Sequence, residues 1–258
     1  MTFQKNATKH FIYDKEKLGK TDPSWRLNRP KIDYKRVFTG IKDLDAVLGG
    51  FPYGITIFVG DAGTGKSMLA QHVANQMAKQ GANVLYVFSE SPIDVDTRNL
   101  DESVYVANFF QFRPKWMTAI EQILFFLDKL DIDFLVIDSL TTLFSETTKA
   151  VDEADIRGAI SELKERLKNQ IPVIGISQIR GQGMFTSPAG GKAVDHVADL
   201  LVYFSKVTGK SNAGIYEKSW GDYIWSLNVQ KDKTGMARQS RKYEIIYNKD
   251  TIDLREVE

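Results

Sequence analysis

Eight residues constrain this chain more than any other feature. "GDAGTGKS" (60–67) follows the β-rich run "ITIFVG" (55–60) and opens the helical run "KSMLAQHVANQMAKQ" (66–80). Strand, glycine loop and helix in that order match the pattern G-x-x-x-x-G-K-[ST], and the context is the one the pattern requires. Glycines let the backbone wrap closely, so successive N–H groups at Gly60, Asp61, Ala62, Gly63, Thr64 and Gly65 can point at phosphate oxygens. The helix N-terminus adds positive potential there. Lys66 is then the cation for the β- and γ-phosphates of ATP, and the Ser67 hydroxyl is a ligand for Mg²⁺.

A strand–loop–helix unit of this kind needs a sheet around it, and the rest of the chain supplies one. "NVLYVFS" (83–89), "VYVANF" (104–109), "DFLVIDS" (133–139) and "PVIGIS" (172–177) are short apolar strands. Between them, "KWMTAIEQILFFLDKL" (115–130) and "DEADIRGAISELKERLKNQ" (152–170) have helical period, as do Leu69, Val73 and Met77 in the helix after the glycine loop. Continuous apolar strands alternating with helices predict an α/β fold, a doubly wound and mostly parallel sheet covered on both faces. After residue 198 the pattern changes to strands and turns ("ADLLVYFSKV", "DYIWSLNVQKD", "RKYEIIYN"), which predicts antiparallel strands added at the C-terminal edge. Residues 1–36, polar and basic, read as an extension or small subdomain, and 37–258 as the core.

Composition narrows the function classes. The chain has no cysteine, which excludes disulfides, thiolate metal sites and cysteine nucleophiles. No run of eighteen apolar residues predicts a membrane span, and "MTFQKNATKHFIYDKEK" lacks the apolar core of a secretory signal, so a cytoplasmic location is expected. Net charge is only +1 but unevenly spread: residues 1–40 carry ten Lys/Arg against four Asp/Glu, and residues 206–242 carry eight against three. A polyanion would meet local basic surfaces; solvated faces are the alternative reading.

Three further positions belong to the rim at which ligands of open α/β sheets bind. Asp138 ends "FLVID", where a carboxylate can hold a water on Mg²⁺; capping a turn is the alternative. Glu90, just past "VLYVFS", is a candidate for orienting the attacking water, against the alternative of a solvated loop Glu. Gln178 ends "IPVIGISQ", where its amide can bond a γ-phosphate or satisfy local backbone. His10, His72 and His196 have no metal-ligand spacing. Trp116, Trp220 and Trp225 lie in or near apolar runs and read first as core, with base stacking as the alternative.

Taken in order, these pieces resemble the RecA/RadA/KaiC superfamily of P-loop ATPases. "FTGIKDLDAVLGGFPYGITIFVGDAGTGKS" looks like the entry to the ATPase core of the bacterial RadA and KaiC branch, and "LVIDSLTTLF" is similar to its Walker B segment. "VIGISQIRGQGMF…GGKAVDHVADLLVYF" resembles RecA, with its "NQIR" and mobile loop, and RadA, with its "H..D..LYF" run. The chain departs from bacterial RadA in having no cysteine zinc motif.

The resemblance implies roles. Glu90 matches the catalytic glutamate, and Gln178 the sensor coupling nucleotide state to a DNA-binding loop. That loop corresponds to residues 179–192, with Arg180, Gly181, Gln182, Gly183, Met184, Phe185 and Lys192 as the expected contacts to single-stranded DNA. The stretch 144–158 occupies the place of the first DNA loop, and Arg98 that of an adenine-stacking arginine. In "VQKDKTGMARQSRKYEI", Lys231 and Lys233 match lysines that reach a neighbour's ATP across a subunit interface, where a cation in trans stabilises the transferring phosphoryl group. A charged edge strand is the alternative. The expected protein is a homo-oligomer, a hexameric ring or a helical filament, acting as a DNA-dependent ATPase of recombination or repair. A regulatory ATPase of KaiC type without DNA and a helicase motor of DnaB type are the alternatives.

Overall fold

Ile55, Ile57 and Val59 alternate with Thr56 and Phe58, and all five are buried. A strand with no solvent face must lie inside a sheet covered on both sides. The computed structural model, which describes residues 35–90, 99–109, 116–143, 153–180, 187–188, 192–206, 223–238, 241–248 and 251–257, builds that sheet. The stretch 1–34, most of the expected extension, lies outside the described residues.

Two short strands, β1 (Arg36–Val37) and β2 (Phe51–Pro52), pair across helix α1 (Lys42–Leu48). Next come β3 (Ile55–Gly60), α2 (Lys66–Lys79), β4 (Val84–Phe88), β5 (Tyr105–Asn108), α3 (Trp116–Leu130), β6 (Phe134–Asp138) and the short α4 (Leu140–Leu143). They are followed by α5 (Glu153–Leu167), β7 (Val173–Arg180), β8 (Ser187–Pro188), α6 (Lys192–Val197) and β9 (Leu200–Lys206). Finally β10 (Tyr223–Asp232), β11 (Lys242–Asn248) and β12 (Thr251–Val257) form an antiparallel run.

The main sheet runs β12-β11-β10-β9-β3-β7-β6-β4-β5, with β8 folded back onto β7. From β9 to β5 every neighbouring pair is parallel. The expected architecture is therefore the observed one, with one difference. "LLVYFSK" is parallel to β3, and the antiparallel additions begin only at β10. The chain between β7 and β9 returns to the sheet's opposite end, so β9 enters beside β3 in the same direction.

The sheet's period of two divides the core between its faces. One face packs Phe58, Tyr86, Phe88, Phe134 and Val136 under Leu69, Val73 and Met77 of α2. The other packs Ile57, Val59, Val87 and Ile137 under Ile120 and Ile123 of α3 and Ile156, Ile160 and Leu163 of α5.

Register fixes which residues share a rim. Gly60 pairs with Gln178, and Phe88 pairs with Asp138. The glycine loop, Glu90, Asp138 and Gln178 thus all stand at the carboxyl ends of parallel strands. At the opposite rim, Leu200 pairs with Thr56 and Asp232 pairs with Leu200.

Candidate active site

The glycine loop is shaped by what presses on it. A Cβ on Gly60 would sit 2.5 Å from the Phe204 carbonyl oxygen of β9. Gly65 has φ +84°, and a Cβ there would meet the Trp225 ring at 2.5 Å. Only glycine fits either place. The Trp225 indole N–H also donates to the Gly63 carbonyl at 3.1 Å, so β10 holds the loop from outside. This assigns Trp225 a second job beside the core packing expected of it: it is nearly buried, and its polar edge serves the loop. Trp220 and the side chain of Trp116 lie outside the described residues.

Inside the loop, Lys66 is 6% exposed, and its amine donates to the carbonyls of Gly60 (2.8 Å) and Asp61 (2.6 Å) and to Thr64 Oγ1 (3.3 Å). Burial lowers its pKa, while the charges of Asp138, Glu90 and Asp61 oppose the shift. Helix α2 begins with Gly65 as its N-cap, with no side chain capping it, and Ser67 in its first turn is exposed. Asp61, Ala62 and Gly63 are exposed, and Thr64 is buried and donates to Asp61 O at 2.8 Å.

These features fit a polyphosphate carrying a hard divalent cation. There is an uncapped helix N-terminus, a partly desolvated amine and a free-standing hydroxyl. Asp138, 7% exposed, accepts from the Tyr86 hydroxyl at 2.9 Å and faces the same place. Among the described residues no group of three or more His, Cys, Asp or Glu forms a metal site.

Glu90 is held by a hydroxyl cluster that the sequence reading missed. Its Oε1 accepts from Ser139 Oγ (2.5 Å), Thr142 Oγ1 (3.1 Å) and Gln178 Nε2 (3.1 Å). Thr141 joins the same cluster, since the Gln178 N–H donates to its Oγ1 at 3.3 Å. The run "DSLTT" after β6 carries all three hydroxyls, and their density directly after Asp138 was the available signal. Ser89 ties the two strand ends: its hydroxyl donates to Ser139 O and accepts from the Ser139 N–H, both at 2.9 Å. The geometry therefore brings together Lys66, Ser67, Glu90, Asp138 and Gln178.

Beyond Gln178, β7 continues to Arg180, where Arg180 pairs with Ser187 and Ile179 with Pro188. The chain thus turns back on β7 as a short antiparallel pair. Gly181, Gln182, Gly183, Met184 and Phe185 lie outside the described residues, as do the side chains of Arg180 and Lys192 and the whole of Arg98. Residues 144–152 lie outside as well.

Lys231 and Lys233 stand apart from this rim. Lys231 lies in β10 and Lys233 in the turn after it. The Lys231 amine donates to Asp195 O, and that of Lys233 lies 3.3 Å from Asp199 Oδ1. Lys231 pairs with Leu201, five residues along β9 from Lys206 beside the loop. That is roughly 17 Å at about 3.3 Å per residue, beyond a lysine's reach. His72, half-buried on α2, packs edge-on to Tyr247 at 5.8 Å and has its pKa lowered by burial and by Lys79; His196 is exposed.

The family model for the KaiC ATPase matches residues 37–212. The DNA repair protein RadA of Campylobacter jejuni is 32% identical over 177 residues, covering 66% of this chain and 38% of that protein. RadA of Aquifex aeolicus is 30% identical over 196 residues, covering 72% and 43%. RadA of Streptococcus pneumoniae is 26% identical over 230 residues, covering 81% and 53%. The chain spans about half or less of the length of these curated relatives.

Proposed function

The chain belongs to the RecA/RadA/KaiC superfamily of P-loop ATPases, and from that premise we propose that it is a DNA-dependent ATPase acting in recombination or repair. The backbone N–H groups of residues 60–65 and the Lys66 amine bind the β- and γ-phosphates of ATP. Ser67 and Asp138 would hold Mg²⁺. Bound Mg²⁺ supplies charge neutralisation at the phosphate oxygens. Glu90, fixed by Ser139 and Thr142, orients the attacking water and takes its proton. Lys231 and Lys233 serve the phosphate site of a neighbouring copy in a homo-oligomer, being too far along the sheet to serve their own. Arg98 stacks on the adenine.

One observation carries the DNA-dependent reading. The Gln178 amide donates to Glu90 at 3.1 Å, and two residues later the same strand closes its hairpin at Arg180. A polyanion gripping residues 180–185 and Lys192 pulls on the strand that holds the catalytic carboxylate. This supports coupling between DNA and hydrolysis without any further element. The relatives' name, DNA repair protein RadA, supports the same reading.

A second reading, a regulatory ATPase without DNA, is favoured by the match to the KaiC family model. The hydrolysis rate with and without single-stranded DNA, measured across salt, separates the two. Stimulation that fades as salt rises is expected. No stimulation and no DNA binding at low salt would sink the DNA-dependent reading and leave the regulatory one.

A further inference from the structure

Strands β7 and β9 flank β3 on opposite sides and bring different chemistry to the glycine loop. On the β7 side stand Gln178, Asp138 and Glu90, all concerned with the reacting end of the nucleotide. On the β9 side stands Lys206, the last residue of its strand. Its Cε and Nζ both lie 3.8 Å from where a Cβ on Gly63 would be. Gly63 and Lys206 are both exposed. Lys206 takes part in no ion pair among the described residues.

The placement is fixed by the sheet. Lys206 pairs with Trp225 across the β9–β10 ladder, and the Trp225 indole is bonded to Gly63 O. Phe204, two residues earlier, lies level with Gly60, and its carbonyl is what requires glycine there. Strand β9 therefore runs alongside the loop and delivers an ammonium group, with its three donors, to the loop's outer edge.

We propose that Lys206 is a second cation for the nucleotide, acting from the same subunit on the phosphates that ATP and ADP share, from the side of the loop opposite Glu90 and Gln178. This rests on the nucleotide reading of the site. Because hydrolysis rearranges charge at the γ-phosphate, a contact to the phosphates that ADP keeps has about the same strength before and after the reaction. It is uniform binding, which sets affinity and does not discriminate ATP from ADP. That separates Lys206 from Lys231 and Lys233, whose role depends on the γ-phosphate of another subunit.

The test is equilibrium titration with ADP and with a non-hydrolysable ATP analogue, at low and high salt. The proteins are the wild type, Lys206→Glu, Lys206→Arg and Lys66→Ala. Lys206→Glu should weaken both nucleotides by about tenfold at low salt, to the same extent, and the gap should narrow at high salt. Lys206→Arg, which keeps the charge, should bind as the wild type does. Lys206→Glu binding both nucleotides normally while Lys66→Ala loses them would overturn the inference and leave the nucleotide site standing. Weakening confined to the ATP analogue would also overturn it, by putting Lys206 at the reacting end. A wild type that binds neither nucleotide would overturn the site itself.

Discussion

Trp225 does two things at one position. Its ring fills the space that a side chain on Gly65 would need, and its indole N–H satisfies the Gly63 carbonyl. Trp225→Ala should cost about 3–5 kcal/mol of stability in chemical denaturation and weaken nucleotide binding, because the loop loses its outer wall. Trp225→Phe keeps a ring and loses the hydrogen bond, so about 1 kcal/mol is expected. Glu90 makes a contrasting case, since it is exposed and its substitution leaves the core alone. Glu90→Gln should lower hydrolysis by about 10²–10⁴-fold, with nucleotide binding retained in the same titration. At this scale the sequence was readable where a residue type has one use, as in Lys66 after a glycine loop. It was less so for Trp225, since an aromatic in an apolar run carries no mark of what its polar edge will meet.

Among the elements, the turn after β10 depends on a pair far apart in the chain. The Arg36 guanidinium lies 3.0 Å from Asp232 Oδ2, with the two side chains 2% and 0% exposed. Arg36 also donates to Leu48 O at 2.9 Å and Gly50 O at 2.6 Å, closing the end of α1. Asp232 in turn accepts from the N–H groups of Thr234, Met236 and Ala237. Arg36→Met leaves a buried carboxylate without its cation, and should cost about 3–5 kcal/mol in denaturation. Burial works against ionisation of Asp232, yet the Ala237 and Thr234 hydrogen bonds and the Arg36 charge prevail and hold its pKa below the ordinary value. A carboxylate depressed in the folded state stabilises above its unfolded pKa, about 3.9, and that stability is lost as pH falls through the folded value. Urea unfolding between about pH 5 and 2 should therefore show a shallower acid decline for Asp232→Asn than for the wild type. Local pattern revealed the strand "YIWSLNVQKD" but not this pairing, because Arg36 lies 196 residues from Asp232. Nor did it reveal the direction of β9, since an apolar run reads the same whichever way it enters a sheet.

On the scale of the whole molecule, the sheet has two polar rims. One holds the glycine loop with Glu90, Asp138 and Gln178. The other holds Lys231 and Lys233 beside Asp195 and Asp199. If copies join one rim to the other, as proposed, each site would be completed by the next copy's lysines. Hydrolysis per protein should then rise with protein concentration until assembly saturates. Mixing Lys231→Ala with Glu90→Ala subunits should recover activity that neither has alone, and the absence of recovery would count against interface sites. The α/β order, the sheet edge and the rim were legible in the sequence because burial on both faces forces unbroken apolar runs, several of which end in a polar residue at the rim, as at Asp138 and Gln178. What was not legible was the level of each residue along the sheet. That depends on strand register, which nothing in a single run specifies.

The indole that braces the loop is also a chromophore. Trp225 touches the backbone of the glycine loop, and the chain has three other tryptophans, Trp25, Trp116 and Trp220. With those three replaced by phenylalanine, the emission of Trp225 becomes a signal from within the loop itself. Its intensity should change as nucleotide is added and saturate at the affinity found by calorimetry. The protein would then report its own occupancy in real time, with no added label.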